Sequence, residues 1–173
     1  MNQAIPLNTF NASASSASSP SSEYFDLHTV GCGYLNRVRW VNPSNRGGRQ
    51  GKPFLCCAIN AMHGKANEPS YTYFDLRVSA EECKVLVAQL ERAVSERKQV
   101  FVAFKIGDIY PHQYDVPVRD KQSRDEHIES RVLIKGRLIA MTHVKVDGDV
   151  VYQLTPDGEA VGALVEQATG TDG

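Results

Sequence analysis

Motifs that carry catalysis or hold a metal are missing from this sequence. None of its four cysteines forms a Cys-x-x-Cys pair and no histidine lies at zinc-finger spacing, which argues against a structural zinc site. The glycine-rich stretch 47–53 lacks the hydroxyl residue and the following helix of a phosphate-binding loop, and no Gly-x-Ser-x-Gly elbow occurs. We therefore expect a protein without enzymatic activity, cofactor or metal.

Long apolar segments are missing as well. No stretch is long and apolar enough to span a bilayer, and the N-terminus lacks the basic region and apolar run of a signal peptide. The cysteines, Cys32, Cys56, Cys57 and Cys83, are predicted to be small buried residues of a reducing compartment rather than a disulfide framework. These absences indicate a cytoplasmic protein with no membrane partner.

Charge of one sign is absent from two segments. Between Gly31 and Lys65 there is no acidic residue, and after Lys145 there is no basic one, so the net charge of −1 conceals a basic front and an acidic end. The basic residues of the front are Arg37, Arg39, Arg46, Arg49, Lys52 and Lys65. This asymmetry favours a polyanionic partner, although two solvated surfaces of opposite sign would give the same pattern.

The pattern of elements predicts a mainly β domain over residues 23–154. A Ser/Ala-rich segment, 1–22, is predicted to be disordered and dispensable for folding, and an acidic tail, 155–173, to contain a short helix around 160–167. Strands are predicted at 25–41, 54–62, 71–78, 99–106 and 131–146, with a short return strand at 150–154. A helix from a capping box at 79–82 to about residue 96 separates the third and fourth strands. Residues 107–130 are predicted to form a long polar loop, with a small hairpin inside it as the alternative.

This element order is that of the OB-fold, a five-stranded Greek-key barrel with a helix between strands 3 and 4. Its long first strand needs a bulge or bend, for which Gly31 and Gly33 are the candidates, and Gly136 is the candidate for a kink in the fifth strand. A three-stranded meander followed by a helix-linked pair, as in an α+β sandwich, would predict the same elements.

Cations interleaved with aromatic residues suggest binding of single-stranded DNA. Aromatic rings stack on bases of any sequence, and flexible cations neutralise phosphates. OB-folds bind strands across strands 2 and 3, flanked by the loops after strands 1 and 4. The candidate residues in and around these places are Tyr34, Arg37, Arg39, Trp40, Arg46, Arg49, Lys52, Tyr71, Tyr73, Arg77, Lys105, Tyr110, Tyr114, Lys135 and Arg137.

Alternation along the third predicted strand separates ligand-binding from core positions. Tyr71 and Tyr73 share one face, whereas Phe74 lies on the other face with Leu76 and Val78 and is predicted to be buried. Alternation does not assign the two faces of the first predicted strand, since neither face is cleanly polar. Both a core and a surface position therefore remain open for Trp40.

Five segments carry a resemblance to a known family: 24–29 (YFDLHT), 33–38 (GYLNRV), 74–79 (FDLRVS), 104–111 (FKIGDIYP) and 135–138 (KGRL). Together they resemble a bacterial domain family associated with replication functions of integrative and conjugative elements, over residues 27–151. The resemblance implies a role in replication or transfer of a mobile genetic element.

The sequence is also similar, more loosely, to bacterial single-stranded-DNA-binding proteins. Segment 33–38 looks like their first strand, and the run from Tyr73 through the helix to 99–102 (QVFV) looks like their third strand, helix and fourth strand. The resemblance implies an OB-fold, a homo-oligomer and an acidic tail that recruits replication or transfer proteins. The alternative from another class is an adaptor that uses the barrel as a docking surface in a replication complex.

Overall fold

The computed structural model describes residues 25, 27–43, 51–119 and 126–164. The strands are β1 (His28–Val41), β2 (Phe54–Lys65), β3 (Glu68–Val78), β4 (Val100–Arg119), β5 (Glu126–Val146), β6 (Asp149–Leu154) and β7 (Ala160–Val161), and the helix is α1 (Glu81–Ser95). The prediction of a mainly β protein with one helix between the third and fourth strands is thus confirmed. The Ser/Ala-rich segment, residues 44–50 and the end of the acidic tail lie outside the described residues.

Five strands close into a ring. Antiparallel pairs join β1 to β2, β2 to β3, β1 to β4 and β4 to β5. A parallel pair between β3 and β5, from Phe74–Ile134 to Val78–Leu138, completes the circle in the order β1-β2-β3-β5-β4. Each of the five strands therefore has a neighbour on both sides within the ring, and β5 pairs with β6 as well. The inner and outer faces of the ring are distinguished by their side chains.

The core fills the inside of the ring. Leu35, Ile59 and Phe74 lie opposite one another on β1, β2 and β3, and all three are buried. The apolar face of α1, formed by Cys83, Leu86, Val87 and Leu90, joins the same core. Burial of Phe74, Leu76 and Val78 together with exposure of Tyr71 and Tyr73 confirms the alternation predicted for β3.

The start of α1 differs from the prediction. Its N-cap is Ala80, which makes no side-chain capping bond, so the predicted capping box is absent. The backbone of Ser79 instead donates a hydrogen bond to the carbonyl of Leu138 on β5 (3.1 Å). Ser79, which could have capped the helix, is held at the end of the β3–β5 ladder. Glu81 and Glu82 favour the first turn through the helix dipole, and Lys84 donates to Glu81 at 2.5 Å.

The bulge in β1 lies at Arg37 and not at Gly31 or Gly33, where it was predicted. Register with β2 shifts between Asn36 and Arg39, and Arg37 adopts a left-handed backbone (φ 46°). The extra residue reverses the alternation, so Leu35, Val38 and Trp40 point inward while Tyr34 and Arg39 point outward. This reversal is why neither predicted face was cleanly polar.

Gly33 is required for close packing of the β1 and β2 backbones rather than for a bulge. A Cβ atom there would lie 2.1 Å from the carbonyl oxygen of Asn60 on β2, so glycine allows the two backbones to approach closely.

A long hairpin replaces most of the predicted polar loop. β4 and β5 continue far beyond the ring, and residues 110–119 pair with 126–135 to form what we call the arm. The arm begins at an irregularity between Gly107 and Tyr110, where Asp108 takes a left-handed conformation (φ 52°) opposite Gly136. The sequence indicated at most a small hairpin here, because apolar alternation is confined to Tyr114, Val116 and Val118, and the facing segment 126–131 shows none.

The end of the described chain also departs from the prediction. β6 forms as expected and extends the sheet beyond β5. The predicted final helix is wrong at its beginning, because Ala160 and Val161 form the strand β7 and pair with Leu154 and Gln153. A hydrogen bond from the backbone of Thr155 to the carbonyl of Glu159 (2.8 Å) supports the turn between them. Within the described ranges, no helix is long and apolar enough to cross a membrane.

Candidate nucleic-acid interface

Three adjoining cavities follow β3 from the outside of the ring to its end, where inward-pointing residues such as Trp40 and Val78 also line the last one, and we call them together the β3 groove. The first, of about 570 Å³, lies between Tyr71 and Tyr73 on β3 and Tyr114 on the arm. The second, of about 330 Å³, shares Asp75 with the first. The third, of about 590 Å³, shares Phe54 and Arg77 with the second. One wall of this path is the β1-β2-β3 sheet and the other is the arm with β5.

Strand register sets cations side by side in the middle of the groove. Arg77 lies opposite Cys56, which lies opposite Arg39, and the parallel pairing with β5 places Arg137 beside Arg77. All of these are outward positions of neighbouring strands, so three guanidinium groups share one row. Lys135 lies one row away and pairs with Tyr110 at the base of the arm.

Arg39 and Asp75 form a partly buried ion pair. Nη2 of Arg39 donates to Oδ1 of Asp75 at 2.6 Å, and the two side chains are 29% and 14% exposed. Burial acts to lower the pKa of Arg39, but the hydrogen bond and charge of Asp75 outweigh it and raise that pKa. Nη1 of Arg39 is buried and finds no hydrogen-bond partner in the described part of the chain.

The other two arginines of the row are oriented by neighbours but stay accessible. The guanidinium of Arg77 lies 4.6 Å from the ring centroid of Phe54, a cation–π contact that holds it over the sheet. Arg137 donates to the carboxylate of Asp108 at the start of the arm. Both arginines are exposed, so phosphate oxygens can reach them from solvent.

Aromatic side chains lie at both ends of the groove. Tyr71 and Tyr73 are 51% and 39% exposed, and Tyr114 on the facing arm is 39% exposed. Tyr114 stacks on His112 with 6.3 Å between ring centroids and 15° between planes. At the opposite end Trp40 is 56% exposed, because its inward-pointing position lies beyond the core at the end of β1.

Most of the predicted site residues come together here. The β3 groove is lined by Arg37, Arg39, Trp40, Lys52, Tyr71, Tyr73, Arg77, Tyr110, Tyr114, Lys135 and Arg137. Tyr34 is on the outer face of β1 next to Tyr71, beside the groove rather than in it. Lys105 lies between Val30 and Ala140 on the β1-β4-β5 side and lines none of the three cavities. Arg46 and Arg49 lie outside the described residues.

Sequence reasoning missed several groove residues. Asp75, Phe54 and Lys84 line it, and His112 supports Tyr114. Asp75 was visible as the outward neighbour of Tyr73, but its pairing with Arg39 depends on the bulge at Arg37, for which the sequence gives no signal. Lys84 reaches the groove only because α1 starts directly after β3.

Three of the four thiols are poorly suited to chemistry. Burial raises the pKa values of Cys56, Cys57 and Cys83, the last to about 11, so all three are protonated at neutral pH. Among the residues described, no cluster of His, Cys, Asp or Glu has the geometry to hold a metal ion. The contacts that the groove itself shows are the Arg77–Phe54 cation–π contact, the Arg39–Asp75 ion pair and the exposed tyrosine rings.

The fold and groove define a mainly β protein whose strand ring carries a cationic, aromatic-lined groove under a hairpin arm. The chain belongs to the family described as "Protein of unknown function (DUF3577)", which it matches over residues 18–159. No curated protein and no solved structure matches the chain.

Proposed function

We propose that the strand ring is an OB-fold barrel. The support is the order β1-β2-β3-β5-β4 around the ring, the parallel closing pair between β3 and β5, and the helix between β3 and β4. These are the features expected of a five-stranded Greek-key barrel of this class. The bulge at Arg37 then allows the long β1 to pair with both β2 and β4.

We propose further that the protein binds single-stranded DNA, in the cytoplasm, during replication or transfer of a mobile genetic element. The observation that carries the proposal is the β3 groove, where exposed tyrosines at one end continue into a row of arginines and lysines. The mobile-element context rests on the family resemblance described above. Binding as a homo-oligomer and recruitment of other proteins by the acidic tail belong to the same proposal.

The chemistry of the groove suits a single strand better than a duplex. Tyrosine rings take up bases whose faces are free, and stacking contributes roughly 1–3 kcal/mol per base regardless of sequence. In a duplex those base faces are covered by neighbouring pairs, and only base edges and phosphates are offered. Tyr73 on β3 and Tyr114 on the arm both line the first cavity, so bases that enter it meet aromatic rings from the sheet and from the arm.

Photocross-linking tests the proposal directly. The full chain is mixed with a single-stranded oligonucleotide that carries 5-iodouracil in place of thymine, irradiated, digested and analysed by mass spectrometry. We expect cross-links at Tyr71, Tyr73 or Tyr114, which line the first cavity. An oligonucleotide that cross-links only to residues away from the groove, or to none, contradicts the proposal.

The adaptor hypothesis keeps one supporting observation. Ile128 and Val132 on the arm are 74% and 67% exposed, which gives the arm apolar positions that another protein could cover. Val132 also lines the first cavity, so an apolar contact with a base accounts for it equally well. Loss of a protein partner without loss of DNA binding after Ile128→Lys would assign this position to an adaptor role.

A further inference from the structure

A second aromatic cluster lies on the outer face of the ring beside the β3 groove. The rings of Tyr34 and Tyr71 have centroids 6.4 Å apart, and those of Tyr34 and Phe101 are 6.0 Å apart with an edge-to-face tilt of 76°. Register explains the alignment, because Tyr34 on β1 lies between Asn60 on β2 and Phe101 on β4. Tyr71 belongs both to this cluster and to the groove.

Two basic residues, Arg97 and Lys98, line a cavity together with Tyr34 and Tyr71 of this cluster. A cavity of about 400 Å³ is lined by Tyr34, Asn60 and Tyr71 together with Arg97 and Lys98, which follow the end of α1. We call it the β1 cavity.

Lys145 on β5 extends the cationic end, since it lies opposite Phe101 in the β4–β5 ladder. The row of outward-facing residues that crosses β1, β4 and β5 therefore begins at Tyr34, beside the aromatic end of the groove, and ends at Lys145.

Arg97 occupies a backbone conformation that ordinarily favours glycine. Its φ is +61°, at the end of α1, where a left-handed residue commonly terminates a helix. An arginine there is held in a strained conformation, and strain of this kind is often retained for function. Arg97 is exposed and has no acidic partner within the part of the chain that the structure describes, whereas Lys98 contacts Glu96 at 3.3 Å.

We propose that a strand longer than the β3 groove turns at Tyr71 and continues over the outer face of β2, β1 and β4. Its bases would pack against Tyr34 and Phe101, and its phosphates would be neutralised by Arg97, Lys98 and Lys145. The inference rests on the proposed function, because Tyr71 is the point at which both paths meet. The β1 cavity is then an extension of the binding site that only long strands use.

Affinity as a function of strand length tests this extension. The full chain is titrated with oligothymidylates that increase in length from a few nucleotides, and affinities are compared for wild type, Tyr34→Ala and Arg97→Gly. Glycine fits the left-handed conformation, so Arg97→Gly removes the charge without disturbing the end of α1. Lys65→Ala, at the β2–β3 turn, is the matched loss of an exposed cation outside both paths.

We expect short strands to bind both variants as they bind wild type. Long strands should bind Tyr34→Ala about fivefold more weakly or worse, as loss of one stacked base would produce. Arg97→Gly should reduce the salt slope of long strands by about 0.7, the value for one phosphate contact on a single strand, and Lys65→Ala should leave it unchanged.

Equal effects on short and long strands, or no effect of Arg97→Gly at any length, overturn the extension. Such a result leaves the groove itself intact if Tyr73→Ala still weakens binding of short strands. A wild-type protein that binds no single strand of any length contradicts the proposed function instead. The two failures are therefore distinguishable in one set of titrations.

Discussion

Tyr73 and Phe74 are neighbours in β3 that face opposite environments. Tyr73 lines the groove and is 39% exposed, whereas Phe74 is 8% exposed in the core. Tyr73→Ala should weaken binding of single strands by roughly 1–3 kcal/mol and leave unfolding little changed, because a base loses its stacking partner. Phe74→Ala should cost about 3–5 kcal/mol of stability through the cavity it creates. Thermal melts and binding isotherms of both variants check this.

Tyr73→Phe is the control, since it keeps the ring and should keep most of the affinity. A Tyr73→Ala protein that unfolds while Phe74→Ala stays folded would mean that the two faces of β3 have been assigned in reverse.

Asp75 is the acidic residue at the centre of the groove, and it engages Arg39 at 2.6 Å. Asp75→Asn removes a negative charge from the path of the phosphates and releases Arg39 toward the ligand. Single-strand affinity should therefore rise several-fold, and the salt slope should steepen by up to about 0.7. Fluorescence anisotropy over a salt series measures both. In a variant with normal thermal stability, an unchanged affinity would contradict the placement of Asp75 in the path of the phosphates, and a weaker one would show that its pairing with Arg39 supports binding.

Because the thiols are buried, the free energy of unfolding should depend on pH in the alkaline range. The pKa of Cys83 is raised by desolvation from an ordinary 9.0 to about 11. The folded protein thus holds the proton more tightly than the unfolded chain, so this stabilisation is complete below about pH 9 and is lost as pH rises toward 11. The loss should reach about 1.4 kcal/mol per pH unit. Denaturant unfolding of wild type and Cys83→Ala between pH 8 and 11 measures it, and identical slopes would contradict it.

At the scale of elements, the arm is separable from the ring. Its residues beyond Gln113 and Val132 are exposed or half-buried, so the core does not depend on them. Replacing residues 114–131 by Asn-Gly joins these two cross-strand partners by a two-residue hairpin turn. Thermal unfolding should change by only a few degrees, since no buried residue is removed.

Binding should nevertheless fall at least about tenfold, because Tyr114 and the facing wall of the groove are lost. A second truncated variant, in which Tyr114 is kept and the other arm residues are replaced, serves as a comparison. A truncated protein that binds single strands as tightly as wild type would mean that the arm is not part of the interface.

How much could be predicted differs between elements for physical reasons. β3 was predictable because one face is buried and the other exposed, so Tyr73, Phe74 and Leu76 alternate in the sequence. β1 was only partly predictable, since the bulge at Arg37 occurs at a residue with no preference for left-handed backbone and reverses the faces beyond it. The arm was predicted only as an alternative, a small hairpin within a polar loop, because its apolar alternation is limited to Tyr114, Val116 and Val118 and most of its side chains meet solvent.

The residues of the candidate site could also be predicted only in part. The tyrosines and arginines could be named from the sequence, but their grouping required the parallel pairing of β3 with β5, which places Arg77 beside Arg137. Lys105 was included on composition and lies elsewhere, since outward positions of β4 below the arm face a different side of the ring.

At the scale of the whole molecule, a net charge of −1 conceals a local concentration of positive charge. Among the described residues, the β3 groove is lined by Arg37, Arg39, Lys52, Arg77, Lys84, Lys135 and Arg137, and by one acidic residue, Asp75, which is paired with Arg39. Nucleic acid affinity is therefore expected to depend on this surface rather than on the total charge.

Affinity for a labelled single strand and for the matching duplex, measured over a series of salt concentrations, tests the central claim most directly. If about five groove cations reach phosphates, the plot of log affinity against log salt for the single strand should have a slope of roughly −3.5. The single strand should also bind more tightly than the duplex at every salt concentration. Absence of binding at low salt, an affinity that does not change with salt, or equal affinity for the duplex would contradict the account.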